Sequence, residues 1–173
     1  MPALASTNLP RMPKRKYTLL YYIGATLLWL LLLTACKRQT VYNHFVHTPL
    51  SGWEKNDTIN FHIDTLAQGG NYIEELGLRI NREYPFVSLQ VIVRQEILPS
   101  HKTRNDTISC SLINQRGNPI GPGVSHYQYS YRLQPLMLNK GESLHVTIRH
   151  DMKREIIPGV TDIGFRLIRS DKP

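Results

Sequence analysis

The chain has 173 residues, two cysteines and a formal net charge of +8, and that charge is unevenly placed. Four of its 21 basic residues and none of its 13 acidic ones fall in the first 35 positions, so the remaining 138 residues carry only +4. That balance removes the compositional case for a nucleic-acid-binding domain, and two cysteines are too few for a disulfide framework.

The first 35 residues do not read as part of a fold. Arg11, Lys14, Arg15 and Lys16 make a basic start, residues 17–33 are an uncharged apolar stretch, and Leu33-Thr34-Ala35-Cys36 follows. A basic start, an apolar core and small residues before a cleavage point form the signature of an export signal. The Leu-Thr-Ala-Cys ending resembles the lipobox of bacterial lipoproteins. That resemblance implies a signal peptide over residues 1–35, cut before Cys36, with diacylglycerol on the Cys36 thiol and an acyl group such as palmitate on the new amine. The competing reading is an uncleaved signal anchor, since seventeen apolar residues are just short of the roughly 20 that span a bilayer; the lipobox at the end of the stretch argues against it. Each buried methylene contributes about 0.8 kcal/mol, so several acyl chains on one cysteine hold a protein durably at a membrane. Met12-Pro13-Lys14-Arg15-Lys16 would also make an ordinary signal start, which leaves Met1 and Met12 as alternative first residues.

Residues 36–52 read as the lipidated cysteine and a tether leading into a first strand near residues 41–47, and residues 53–173 as the folded domain. Ile59, Phe61 and Ile63 alternate with polar residues, as do Leu76, Leu78 and Ile80, and then Val87, Leu89, Val91 and Val93. Ile108, Cys110 and Leu112 continue the pattern, followed by Leu144, Val146 and Ile148 and by Ile163, Phe165 and Leu167. A two-residue period marks half-buried strands. Turn chemistry separates the runs at Gln68-Gly69-Gly70-Asn71, Tyr84-Pro85, Leu98-Pro99-Ser100, Arg116-Gly117-Asn118-Pro119, Gly121-Pro122-Gly123, Asn139-Lys140-Gly141 and Pro158-Gly159. Seven or eight strands joined by short turns predict an all-β fold, a single antiparallel β-sandwich or jelly-roll-like domain. One segment, Tyr72-Ile73-Glu74-Glu75-Leu76, is also compatible with a helical turn.

Chemistry is sparse. There is no Gly-x-Ser-x-Gly elbow, no His-Glu-x-x-His, no phosphate loop and no paired-cysteine knuckle, so no cofactor or metal is expected. Cys110 lies on the apolar side of its strand pattern and reads as a buried thiol. His44 and His47, and likewise His145 and His150, point to opposite faces if their segments are strands. His150-Asp151 with Asp162 suggests an acid–base group for a hydrolase; the plainer reading is a charged loop between two strands. Tyr127, Tyr129 and Tyr131 share one face of a strand. Exposed, they would form an interaction surface for a partner, a glycan or peptidoglycan; buried, they are core.

Several stretches together resemble the gliding-motility lipoprotein family GldH of Bacteroidetes. They are the lipobox, Trp53-Glu54-Lys55-Asn56-Asp57-Thr58-Ile59-Asn60-Phe61, Leu78-Arg79-Ile80-Asn81-Arg82-Glu83-Tyr84-Pro85-Phe86, Asn114-Gln115-Arg116-Gly117-Asn118-Pro119 and Gly159-Val160-Thr161-Asp162-Ile163-Gly164. The resemblance implies a non-enzymatic cell-envelope lipoprotein associated with gliding and type nine secretion. Its partners would be the membrane, through the lipid anchor, and other envelope proteins. Lys37 and Arg38, just after the lipidated cysteine, suit anionic headgroups and point to a periplasm-facing domain. The phylum's habit of attaching O-glycans at Asp-Ser/Thr before an apolar residue makes Thr58, Thr65 and Thr107 candidate acceptors. Asp-Thr is equally good chemistry for a strand boundary.

Overall fold

The computed structural model describes Tyr22 and residues 40–170. The expected signal peptide, apart from Tyr22, and Cys36 lie outside the described residues. Over residues 40–170 the backbone is strand and loop without a helix. The strands are β1 (Thr40–His47), β2 (Trp53–Glu54), β3 (Ile59–Ile63), β4 (Gly70–Asn81), β5 (Ser88–Leu98), β6 (Lys102–Ser111), β7 (His126–Arg132), β8 (Leu136–Leu138), β9 (Ser143–His150), β10 (Ile156–Ile157) and β11 (Val160–Arg169). Every pairing is antiparallel.

Two sheets face each other. One runs β1-β11-β4-β7, with β8 continuing beside β7 on the same edge of β4; the other runs β3-β9-β5-β6. β2 and β10 make a small separate ladder. The alternation seen in the sequence explains the layering, because odd and even side chains leave a strand on opposite faces. Phe61, Leu89, Val91, Val93, Leu144, Val146 and Ile148 of one sheet meet Leu76, Leu78, Ile80, Ile163, Phe165 and Leu167 of the other in one core. Trp53, the largest fully buried side chain, closes one end; its indole nitrogen donates to the Asp57 carbonyl at 3.0 Å. Truncating it to alanine would cost roughly 3–5 kcal/mol.

Two local expectations change. The segment Tyr72-Ile73-Glu74-Glu75-Leu76 lies in the middle of β4, with no helical turn. Tyr72 is buried and its hydroxyl donates to the Gln68 carbonyl. Val87, expected in the core row of β5, is 59% exposed, because the strand begins one residue later at Ser88.

Register fixes which loops share an end. Thr40 opens β1 opposite Ile168, at the end that also holds Gly70, Leu98, Lys102 and Ser143. His47 closes β1 opposite Asp162, at the end of the loops around residues 48–52, 82–87, 112–125 and 151–159. β1 separates these ends by about 24 Å.

Candidate functional site

The outer face of the five-stranded sheet is built from three cross-strand rows. The first brings Arg132 of β7, Glu75 of β4 and Arg166 of β11 side by side. Glu75 is almost fully buried although it sits on an outer face, because the arginines lie over it. Arg132 Nε donates to its Oε1 at 3.2 Å, while Arg166 Nε at 2.9 Å and Ser130 Oγ at 3.2 Å donate to its Oε2. Burial alone would raise this carboxyl; the bonds and charge of Arg166, with the bonds of Arg132 and Ser130, override it and hold the pKa below the usual carboxylate range.

The second row is Ser130, Gly77, Gly164 and Phe45. The two glycines make a trough that the Phe45 ring occupies: a Cβ on Gly164 would stand 2.5 Å from Phe45 Cε1, and one on Gly77 would stand 2.6 Å from its Cζ. Glycine inside a strand marks such a close approach. The Arg79 guanidinium carbon lies 4.2 Å from the centre of that ring. Arg79 belongs to the third row, Gln128, Arg79, Asp162 and His47. His47 Nδ1 approaches Asp162 Oδ1 at 2.5 Å, Arg79 Nη1 stands 3.9 Å from the same oxygen, and Thr161 Oγ1 donates to Oδ2 at 2.9 Å. Asn43, Phe45, Gln128 and Ser130 border a shallow groove of about 120 Å³ over the first two rows.

The residues singled out in the sequence fall as follows. Tyr127, Tyr129 and Tyr131 share a face, but that face is the inner one, so the row is no exposed platform of rings. Tyr129 is 7% exposed, and its hydroxyl donates to the Leu112 carbonyl at 2.7 Å. Tyr131 donates to the Ser111 carbonyl and Tyr127 to the Val124 carbonyl at 2.9 Å, while the rings of Tyr129 and Tyr131 stack at 6.5 Å. The reason is the amphipathic pattern of β7, whose opposite face carries Gln128, Ser130 and Arg132.

His150, Asp151 and Asp162 do not converge. His150 is buried on the inner face of β9 against Trp53, ring centres 5.2 Å apart, with Nε2 3.2 Å from the Trp53 carbonyl. Burial lowers its pKa, and so does the charge of Lys55, against carbonyl contacts at Trp53 and Glu155 that act the other way. Asp151 is exposed, and Asp162 belongs to the other sheet's outer face. Thr58, Thr65 and Thr107 are all exposed, the first two flanking β3 and the third in β6. Sequence reasoning missed Glu75 and the glycine trough. Their signals were two adjacent glutamates inside an apolar strand and single glycines in two strand patterns.

The GldH lipoprotein family model matches residues 40–167, from the first residue of β1 into β11. The chain belongs to the GldH lipoprotein family. Every row described above lies within the GldH match. A curated relative from Flavobacterium johnsoniae, named a gliding motility lipoprotein GldH, is 29% identical over 155 residues, covering 86% of this chain and 96% of that protein. A GldH homologue from Christiangramia forsetii is 22% identical over 151 residues, covering 82% and 91%. Among solved structures, a protein from Sulfurospirillum deleyianum aligns over 76% of this chain and 99% of its own with a TM-score of 0.39 and 9% identity. Cys36 lies upstream of the GldH match.

Proposed function

We propose that this chain is a non-enzymatic lipoprotein of the cell envelope, anchored by acyl chains on Cys36, whose β-sandwich holds another envelope protein in the gliding and type nine secretion class. One observation carries the interaction reading. Leu50, Val87, Ile120, Val124 and Ile156 are large apolar side chains 42–106% exposed, and all five sit on the end of the sandwich opposite Thr40. Among the described residues of the sandwich, only Val41 and Met137 are comparably exposed elsewhere. Thr40 follows Cys36 by four residues, a reach of at most ~14 Å. The apolar loops therefore belong to the end away from the anchor, where a membrane on the same side does not cover them. Apolar side chains gathered on one end suit a protein partner. A cavity of about 340 Å³ between Leu50, Glu83 and His126 adds a recess at the same end.

The domain faces the periplasm on this reading, since Lys37 and Arg38 stand next to the lipidated cysteine. At least one of Thr58, Thr65 and Thr107 carries an O-glycan, which would add mass beyond polypeptide plus lipid. The test is cross-linking in native membranes with the wild type, Cys36→Ala and a Leu50→Asp/Val124→Asp double variant. The wild type should give a discrete adduct. Cys36→Ala should lose palmitate and the adduct together, and the loop variant should keep palmitate and lose only the adduct. An unaffected adduct in the loop variant refutes the docking end, and unlabelled wild-type protein refutes the anchor.

A further inference from the structure

The outer face of the four-stranded sheet carries a row that sequence spacing could not show. His62 of β3 lies directly opposite His145 of β9, and His145 lies opposite Glu96 of β5. His101, in the turn after β5, places Nδ1 2.8 Å from Glu96 Oε1. Asp64, at the other flank, has Oδ1 4.0 Å from His62 Nε2. Three of the seven histidines and two carboxylates thus stand together on one patch, although the histidines are 39 and 44 positions apart in sequence.

We propose that His62 and His145, with Glu96 as third protein ligand, form a binding site for a divalent first-row transition metal ion of the kind imidazole favours, Zn(II) foremost. Residues directly opposite in an antiparallel pair have Cβ atoms about 4.5–5.5 Å apart, so both rings rise from the same patch. Their centres are 6.2 Å apart with planes at 64°. Two imidazoles sharing an ion through metal–nitrogen bonds of ~2.0–2.1 Å have ring centres roughly 5–6 Å apart. Among the described residues no group of three or more His, Cys, Asp or Glu side chains stands placed to hold a metal ion. Binding therefore requires the His62 and His145 rings to move together and the Glu96 carboxylate to join them. His62 is 64% exposed, so nothing packed tightly resists the turn.

Glu96 completes the set because its side chain is oriented. His101 engages Oε1, which leaves Oε2 for an ion, and Asp64 Oδ1 stands 4.0 Å from His62 Nε2, close enough to engage that nitrogen once the ring turns. Metal-bound histidines usually have a carboxylate or carbonyl on the nitrogen away from the ion, and such partners matter to affinity almost as much as the ligands. Two imidazoles, one carboxylate and a water make a four-coordinate set suited to Zn(II), with Cu(II) and Ni(II) as competitors. The site lies on the end of the sandwich that bears Thr40.

The test uses the full-length protein in detergent, without an affinity tag. Titration calorimetry with Zn(II) should give one equivalent, and Cu(II) electron paramagnetic resonance should show coupling to two nitrogens. His62→Asn and His145→Asn should each weaken Zn(II) binding at least ~10-fold and remove one nitrogen from the Cu(II) spectrum. Glu96→Gln should weaken Zn(II) binding while both nitrogens remain. His126→Asn, on the other sheet, should change nothing. Melting midpoints equal to wild type in all four variants show that the fold is intact. Absence of saturable binding below millimolar Zn(II), or binding untouched by His62→Asn and His145→Asn, overturns the proposal.

Discussion

Glu74 offers a direct test of how the two sheets are joined. Its side chain leaves β4 toward the interior and is fully buried between the sheets. Arg104 of β6 reaches its Oε2 through Nη2, and Gln95 Nε2 lies 3.4 Å from the same oxygen. Oε1 has no hydrogen-bond partner. Burial is the largest influence on this carboxyl and raises its pKa; the Arg104 charge opposes burial, Asp106 adds to it, and the result is about 7 against an ordinary 4.5.

A carboxyl whose folded value is raised binds its proton more tightly when folded. Between pH 4.5 and about 7 the native state therefore holds more protons than the unfolded chain, and stability falls as pH rises. The contribution is complete below pH 4.5 and gone above about 7. At 1.36 kcal/mol per pH unit, this interval corresponds to about 3 kcal/mol. Glu74→Gln mimics the protonated carboxyl and does not titrate. Arg104 keeps Asp106 at 3.0 Å and the carbonyls of Gln134 at 3.2 Å and Pro135 at 3.3 Å, so its charge is not stranded. His150, with its lowered pKa, favours the folded state at higher pH in the same range, but it is present in both proteins and cancels in the difference. Urea unfolding at intervals from pH 4.5 to 8 should show Glu74→Gln gaining on wild type by about 3 kcal/mol across the range. Parallel curves would refute the assignment of the titration to this side chain.

Two further perturbations probe the packing. Gly164→Ala should destabilise by about 1–3 kcal/mol, because the added methyl meets the Phe45 ring. Adding the same change to Phe45→Ala should cost at least about 1 kcal/mol less, since the clash is gone; additive urea midpoints would refute the trough. Cys110 is fully buried, and burial pushes its thiol up to about 12, so it should resist a thiol reagent at pH 8 until urea is added. One thiol labelled on unfolding fits a Cys36 blocked by lipid, two would place a free thiol at Cys36, and rapid native labelling would contradict the packing of β6.

The strands were legible because their alternation is a local property. Ile59, Phe61 and Ile63, and Leu144, Val146 and Ile148, point inward as their spacing requires. Glu74 and Glu75 were opaque for the opposite reason. Two adjacent glutamates suit a solvated turn until Arg104, Arg132 and Arg166 arrive from 30 to 91 residues away to neutralise them in place. The His62–His145–Glu96 row was hidden in the same way, since only strand register sets those residues opposite one another. For the tyrosines, alternation gave the shared face, and the polar residues of β7 decided that it points inward.

The buried charges also constrain how a partner can bind. β6 is a free edge of its sheet, and an uncovered edge strand invites another strand to add to it. Arg104 and Asp106 take two of the inward positions on β6, and Glu74 and Gln95 hold them there. A strand added beside them would meet inward-facing charge where a core should continue. At the other side, β1 is irregular between Thr40 and Tyr42, and Tyr42 and His44 pack edge-on against Phe61 of β3, closing the gap between the sheets. Strand addition is thereby discouraged at β6 and at β1. What this sandwich offers the proposed partner is its outer faces and, most of all, the apolar loops at the end away from Thr40, where Leu50 is fully exposed and Val124 80% exposed.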